Sequence, residues 1–207
     1  MSVLKNNNSA FEEISELNKY KDGAWTSCEC AEAYKNGAWE DVWSRAIYLL
    51  KDGVLNTNLL TSNKFEVYDN DDSKLVTPKG TCSISTLSRV YCYGPEYNSY
   101  WGYYVIAKHL YTEKTFTVPS NATKLFIEGV GTNTASVMNG SNFFINTGYN
   151  DYGYVSSEEI NQNGDFSVSI DVSSFVGKNV YLLFKPYVMT SNSSVIMDIT
   201  INNIYFK

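Results

Sequence analysis

The back half of the chain alternates residue by residue. Val195, Met197, Ile199 and Ile201 interleave with Asp198, Thr200 and Asn202, a period of two that buries one face of a strand and wets the other. Phe166, Val168 and Ile170 against Ser167, Ser169 and Asp171 repeat the pattern. Val180-Tyr181-Leu182-Leu183-Phe184 is apolar on both faces, which predicts an interior strand. Further strands are predicted near 64–68, 81–85, 88–93, 101–110, 114–118, 123–128 and 142–146, with 179–186 and 195–206 the most sharply patterned. About nine or ten short strands separated by turn signals, with no helical period, predict a two-sheet β-sandwich of the jelly-roll kind. It would occupy residues 56–207.

Residues 1–55 follow a different rule. Tyr20-Lys21-Asp22-Gly23-Ala24-Trp25 is restated as Tyr34-Lys35-Asn36-Gly37-Ala38-Trp39, and more faintly as Leu50-Lys51-Asp52-Gly53-Val54-Leu55. Asp-Gly and Asn-Gly accept positive φ at both central positions of a type I′ turn, so each copy predicts a tight β-hairpin. Aromatics on the two arms can pair across it. Hairpins of this size cannot bury a core of their own. The segment must therefore lean on the sandwich, on copies of itself or on another protein, and Tyr20, Trp25, Tyr34, Trp39 and Trp43 are its candidate attachment or oligomer contacts. Upstream, Ser9-Ala10-Phe11-Glu12 reads as a capping box, with Phe11, Ile14 and Leu17 at helical spacing. That predicts either a short helix over residues 10–18 or an extended arm docking through the same apolar residues.

Composition narrows the chemistry. Charged residues make up 18% of the 207, the formal net charge is −6, and there are 17 tyrosines. No Lys/Arg cluster marks a nucleic-acid footprint, and no apolar run is long enough to span a bilayer. The first twenty residues carry neither the basic nor the apolar region of a signal peptide, which predicts a chain that is not exported by that route. Cys28, Cys30, Cys82 and Cys92 lack paired C-x-x-C spacing, so buried free thiols in a reducing cytoplasm are expected over a zinc site.

Seven aromatics crowd into the fourteen residues from Tyr91 to Tyr104. Alternate rings on strands would fill a core or an interface. Rings on the connecting loop would instead offer flat faces to sugar rings, and Tyr97, Tyr100 and Trp101 are the candidates. Tyr149 and Tyr152, in a second aromatic loop, are candidates of the same kind. Asp69, Asp71 and Asp72 gather oxygens that suit calcium; a solvated acidic turn is the plainer reading, and no other cofactor is expected. His109 is the only histidine and has no Gly-x-Ser-x-Gly elbow beside it. No carboxylate pair declares itself either, so the chain is not expected to be an enzyme.

Two stretches resemble known families. Phe11-Glu12-Glu13-Ile14, the two Gly-Ala-Trp repeats and Glu40-Asp41-Val42-Trp43 resemble the N-terminal region of tail-associated structural proteins of phages and prophages of Firmicutes. Residues 171–184 together with 199–206 resemble jelly-roll carbohydrate-binding modules. These resemblances imply a homo-oligomeric virion protein of the tail, baseplate or a peripheral fibre, assembled in the bacterial cytoplasm. Its front would join other virion proteins, and its sandwich would meet a glycan or receptor on the host surface. A free lectin-like module is the alternative, and a glycan hydrolase a more distant one.

Overall fold

A computed structural model describes residues 4–7, 10–13, 17–21, 24–28, 30–35, 38–44, 46–68, 82–133, 140–148, 155–157, 159–160 and 163–207, and for the first 45 residues the strand backbone alone. The chain divides into two compact units, Met1–Ile47 with the final Lys207, and Tyr48–Phe206.

In the first unit, β1 (Leu4–Asn7), β2 (Ala10–Glu13), β3 (Leu17–Lys21), β4 (Ala24–Cys28), β5 (Cys30–Lys35) and β6 (Ala38–Ser44) form three separate two-stranded hairpins. In both full copies of the repeat the flanking strands pair in hairpin register. Lys21 lies opposite Ala24 and Tyr20 opposite Trp25; Lys35 lies opposite Ala38 and Tyr34 opposite Trp39. Trp43 lies opposite Ala31, just before a register shift. The helix reading of residues 10–18 is corrected for its first turn. Ala10–Glu13 is a strand, with Phe11 opposite Asn6, so the ladder with β1 takes up the backbone groups that a helix would have used.

The second unit runs through β7 (Ile47–Lys51), β8 (Val54–Leu55), β9 (Phe65–Tyr68), β10 (Ile84–Thr86), β11 (Arg89–Tyr93), β12 (Glu96–Asn98), β13 (Tyr103–Ala107), β14 (His109–Thr112), β15 (Phe116–Thr117) and β16 (Lys124–Asn133). It continues with β17 (Asn142–Asn146), β18 (Val155–Ser156), β19 (Gly164–Asp171), β20 (Asn179–Lys185), β21 (Tyr187–Thr190) and β22 (Ile196–Phe206). The pairings among the described strands are antiparallel, and one sheet has the order β10-β11-β22-β16-β19 with β7 added against β22. The second has the order β18-β17-β20-β14-β9, with β15 against β20. A small sheet, β12-β13-β21, stands apart. The fold is all-β, an antiparallel sandwich.

The alternations read from the sequence set which faces are buried. Met197, Ile199 and Ile201 of β22 are fully buried, as are Leu125 and Ile127 of β16. Val180, Leu182 and Phe184 of β20 are likewise sealed. Phe116 from the second sheet meets Phe206 from the first at 6.0 Å between ring centroids, which places the core between them. As predicted, β20 is interior, flanked by β17 and β14. Its other face is also covered, because Leu183 packs with Tyr68 and Tyr111 in a second apolar cluster.

One predicted strand is split in two. Residues 101–110 become β13 and β14, which pair in different sheets, whereas the strand predicted over 179–186 is β20, ending at Lys185. Pro186 has no N–H for the ladder, and the chain goes on as β21 beside β13, where Ala107 faces Tyr187. The alternation along β22 also slips once. The register against β16 shifts between Glu128 and Gly129, and Asn202 and Asn203 both leave the core face. A Cβ on Gly129 would strike the Thr200 carbonyl oxygen and lie 2.8 Å from the Phe166 ring, so only glycine fits this bulge.

The third, faint copy of the repeat belongs to the second unit. Asp52 (φ 50°) and Gly53 (φ 76°) both take left-handed conformations, and Lys51 lies opposite Val54. Its turn is fastened to β22, since the Asp52 amide donates to Asn203 Oδ1 at 3.0 Å and the Gly53 amide to the Asn202 carbonyl at 2.8 Å.

One cysteine expectation is corrected. Cys82 and Cys92, both buried, are joined in a disulfide. The second residue of the pair sits in β11, and the first lies just ahead of β10, the strand beside it. Antiparallel neighbours bring two such positions close enough for a bridge, a proximity that their spacing in the chain does not reveal. With those sulfurs joined they cannot act as thiolates beside Cys28 and Cys30.

Candidate functional site

The most exposed aromatic surface among the described residues is the hairpin β12–β13. Tyr100 is 90% exposed, Tyr97 60% and Trp101 49%. Its turn is held from within. Asn98 Oδ1 accepts hydrogen bonds from the amides of Tyr100 and Trp101, each at 3.1 Å, and the Asn98 carbonyl accepts one from Gly102 at 2.9 Å. An Asn side chain bonded to the backbone ahead of it makes an Asx turn. The chain then returns to β13 through Gly102 at φ 69°, a conformation that glycine adopts freely. Tyr97 lies opposite Tyr104, and their rings meet edge to face at 5.2 Å. Tyr103, opposite Asn98, projects to the other face of the ribbon and is also exposed.

The strands fix this hairpin at its base. Ile106 and Val188, directly opposite each other, are fully buried, while Lys108 Nζ, itself buried, reaches the Glu96 carboxylate at 3.1 Å. The result is a ribbon with a buried root and a wet, ring-bearing tip. The rings are apolar and the groups between them are amides and hydroxyls, which suits polyols better than ions.

The remaining predicted site residues fall as follows. Trp101 sits in the turn rather than on a strand with Tyr103. Glu96–Asn98, read as loop, is a short strand. Tyr149 and Tyr152 lie outside the described residues, as do Asp69, Asp71 and Asp72. Among the described residues no cluster of three metal-ligating side chains occurs. Tyr20, Trp25, Tyr34, Trp39 and Trp43 are placed by their backbones on β3 to β6.

A second arrangement escaped the sequence reading. On the solvent face of the first sheet, Arg89 Nε and Nη2 donate to Asp198 Oδ1 and Oδ2 at 2.9 and 2.7 Å. These residues are 109 positions apart, so no local pattern could join them; only the β11–β22 register does. The guanidinium also lies 5.6 Å from the centre of the Tyr91 ring, which is 6.0 Å from the Tyr93 ring. The hydrogen bonds and charge of Asp198 hold Arg89 still more firmly protonated than usual. Elsewhere on that face Phe126 stacks on Tyr205 at 5.2 Å, and the Glu128 carboxylate accepts from Tyr205 Oη and Asn203 Nδ2. These rings use their faces on each other and read as sheet-stabilising pairs.

No family model matches the chain, and a search of curated proteins finds no match. What the fold establishes is the class, an all-β sandwich protein.

Proposed function

We propose that the sandwich is a recognition module for a neutral glycan, displayed on a phage virion. The observation that carries this reading is the aromatic hairpin, where Tyr97, Tyr100 and Trp101 are exposed and their turn is fixed by Asn98 before any ligand arrives. Pre-ordering of this kind removes part of the entropic cost of binding. Exposed rings grouped on one ribbon tip, rather than scattered singly, are what a contact surface carries. Nothing in the site argues for bond making or breaking, so the reading is of binding and not catalysis.

The front of the chain supports attachment. Two-stranded hairpins are marginal alone in water, and three of them in succession call for a partner, either other copies of the chain or neighbouring virion proteins. Several copies on one particle would raise weak single contacts into firm adhesion. The resemblance of the doubled repeat to phage tail-associated proteins supplies the setting. In a complementation experiment, a chain lacking residues 1–47 is expected to remain folded and to be missing from purified particles. Its recovery in particles at the wild-type level refutes the attachment role.

One observation favours a second reading, a free lectin-like module that works outside the cell. Buried disulfides are rare in proteins that mature in a reducing cytoplasm, and Cys82 and Cys92 are so joined. Thiol titration of the protein taken directly from producing cells separates the two. Reduced cysteines there fit cytoplasmic assembly followed by later oxidation, whereas a fully formed bridge fits an exported module.

A further inference from the structure

We propose that the glycan site continues from the hairpin onto the solvent face of β11 and β22, so that its ligand is a linear neutral oligosaccharide held by Tyr93 and the Arg89–Asp198 fork as well as by the tip. This rests on the glycan reading above and specifies its ligand.

Three observations carry it. First, the surface is exposed and ring-bearing. Tyr93 is 44% exposed, Tyr91 lies beside it, and Ile196 opposite Tyr93 is half-buried beneath the same patch. Second, the polar groups there are already ordered. Arg89 is fixed by two bonds to Asp198 and by the Tyr91 ring, with side-chain exposures of 46% for Arg89 and 28% for Asp198. A guanidinium has five N–H donors, and this bidentate contact occupies two. The others, with the remaining lone pairs of Asp198 and the Thr200 hydroxyl opposite Arg89, put both donors and acceptors on this face, as the hydroxyls of a sugar require.

Third, the distances suit more than one ring. Arg89 and Tyr93 stand four positions apart on one strand, about 13 Å. Tyr93 and Tyr97 are four positions apart in the chain, so their Cα atoms are separated by at most about 14 Å. A single pyranose does not cover the span from Arg89 to Tyr93, while a short chain of them covers it and reaches on toward the hairpin. Charge selects the class of ligand. The fork cancels its own charge, and the chain carries −6 overall, so acidic polymers are repelled and an uncharged polyol is not.

The test uses the full chain and neutral gluco-, manno- and N-acetylglucosamine oligosaccharides graded from di- to hexasaccharide, with titration calorimetry. Wild-type affinity is expected to rise with chain length. Tyr93→Ala and Arg89→Lys are each expected to lower hexasaccharide affinity about tenfold, the scale of one lost ring or fork contact, and to leave the disaccharide unchanged. Trp101→Ala lowers both. Both sheet-face side chains are exposed, so the melting temperature should stay at the wild-type value. If Tyr93→Ala and Arg89→Lys match wild type at every length while Trp101→Ala still loses binding, the extension is overturned and the tip stands. If the wild type retains no sugar in the series, both fall.

Discussion

Asn98 is where a small change should separate order from stability. Its side chain accepts the Tyr100 and Trp101 amides. Asn98→Ala removes both bonds. At an exposed site each is worth about 0.5–1 kcal/mol, so the turn loses about 1–2 kcal/mol of local order. Because such a tip opens independently of the core, the melting temperature should scarcely move, and the buried root at Ile106 and Val188 should hold. The lost order must then be restored on binding, where fixing a residue costs about 1–2 kcal/mol. Affinity for a glycan should therefore fall about five- to thirtyfold. Hydrogen exchange at residues 99–102 and calorimetry on the same samples provide the assay. A variant whose tip amides exchange freely, yet which binds as tightly as wild type, would refute the claim that a preformed tip carries recognition.

Other expectations concern the frame. Gly129→Ala drives a methyl into the Thr200 carbonyl and the Phe166 ring, with backbone on one side that cannot turn away; it should cost about 3 kcal/mol or more in denaturant melts. Cys92→Ser opens the bridge between residues ten apart, worth about 2–3 kcal/mol on chain-entropy grounds, and reductant should lower wild-type stability to match. The Asp171 carboxylate accepts the Ser173 amide at 2.9 Å, which, with the Ser173 side chain and Lys124, holds its pKa below the ordinary 3.8. Its stabilising effect is thus complete above that value and is lost as pH falls through the lower folded value. Asp171→Asn should flatten that part of the acid-stability curve, and an unchanged acid limb argues against the contact.

The sequence disclosed faces better than boundaries. Alternation in β19 and β22 and the doubly apolar β20 predicted the buried residues, because a half-buried sheet leaves that signature in every strand. The breaks were less visible. The end of β20 beside Pro186 was legible because proline is a local signal, whereas the division of 101–110 depends on which sheet each half joins. The slip at Asn202 and Asn203 has Gly129 as its only trace, and that residue's role appears only when Thr200 is laid beside it. The tight turn was legible at Asp52-Gly53, where both residues take the positive φ that an Asp-Gly pair accepts. Pairing across long separations was not: the Cys82–Cys92 bridge and the Arg89–Asp198 fork exist because strands meet, and nothing in residue spacing announces either. The aromatic tip stood between these extremes. Its residues were named from composition, but the Asx turn that holds them open was missed, although Asn98 two and three residues before Tyr100 and Trp101 is the signal for it.

The most direct measurement of the central claim is a glycan array probed with the intact chain and with a Tyr100→Ala, Trp101→Ala double variant of equal melting temperature. The account predicts that wild type is retained on neutral glycans and that the double variant is lost from those same spots. Retention of both proteins alike, or of neither, would contradict it.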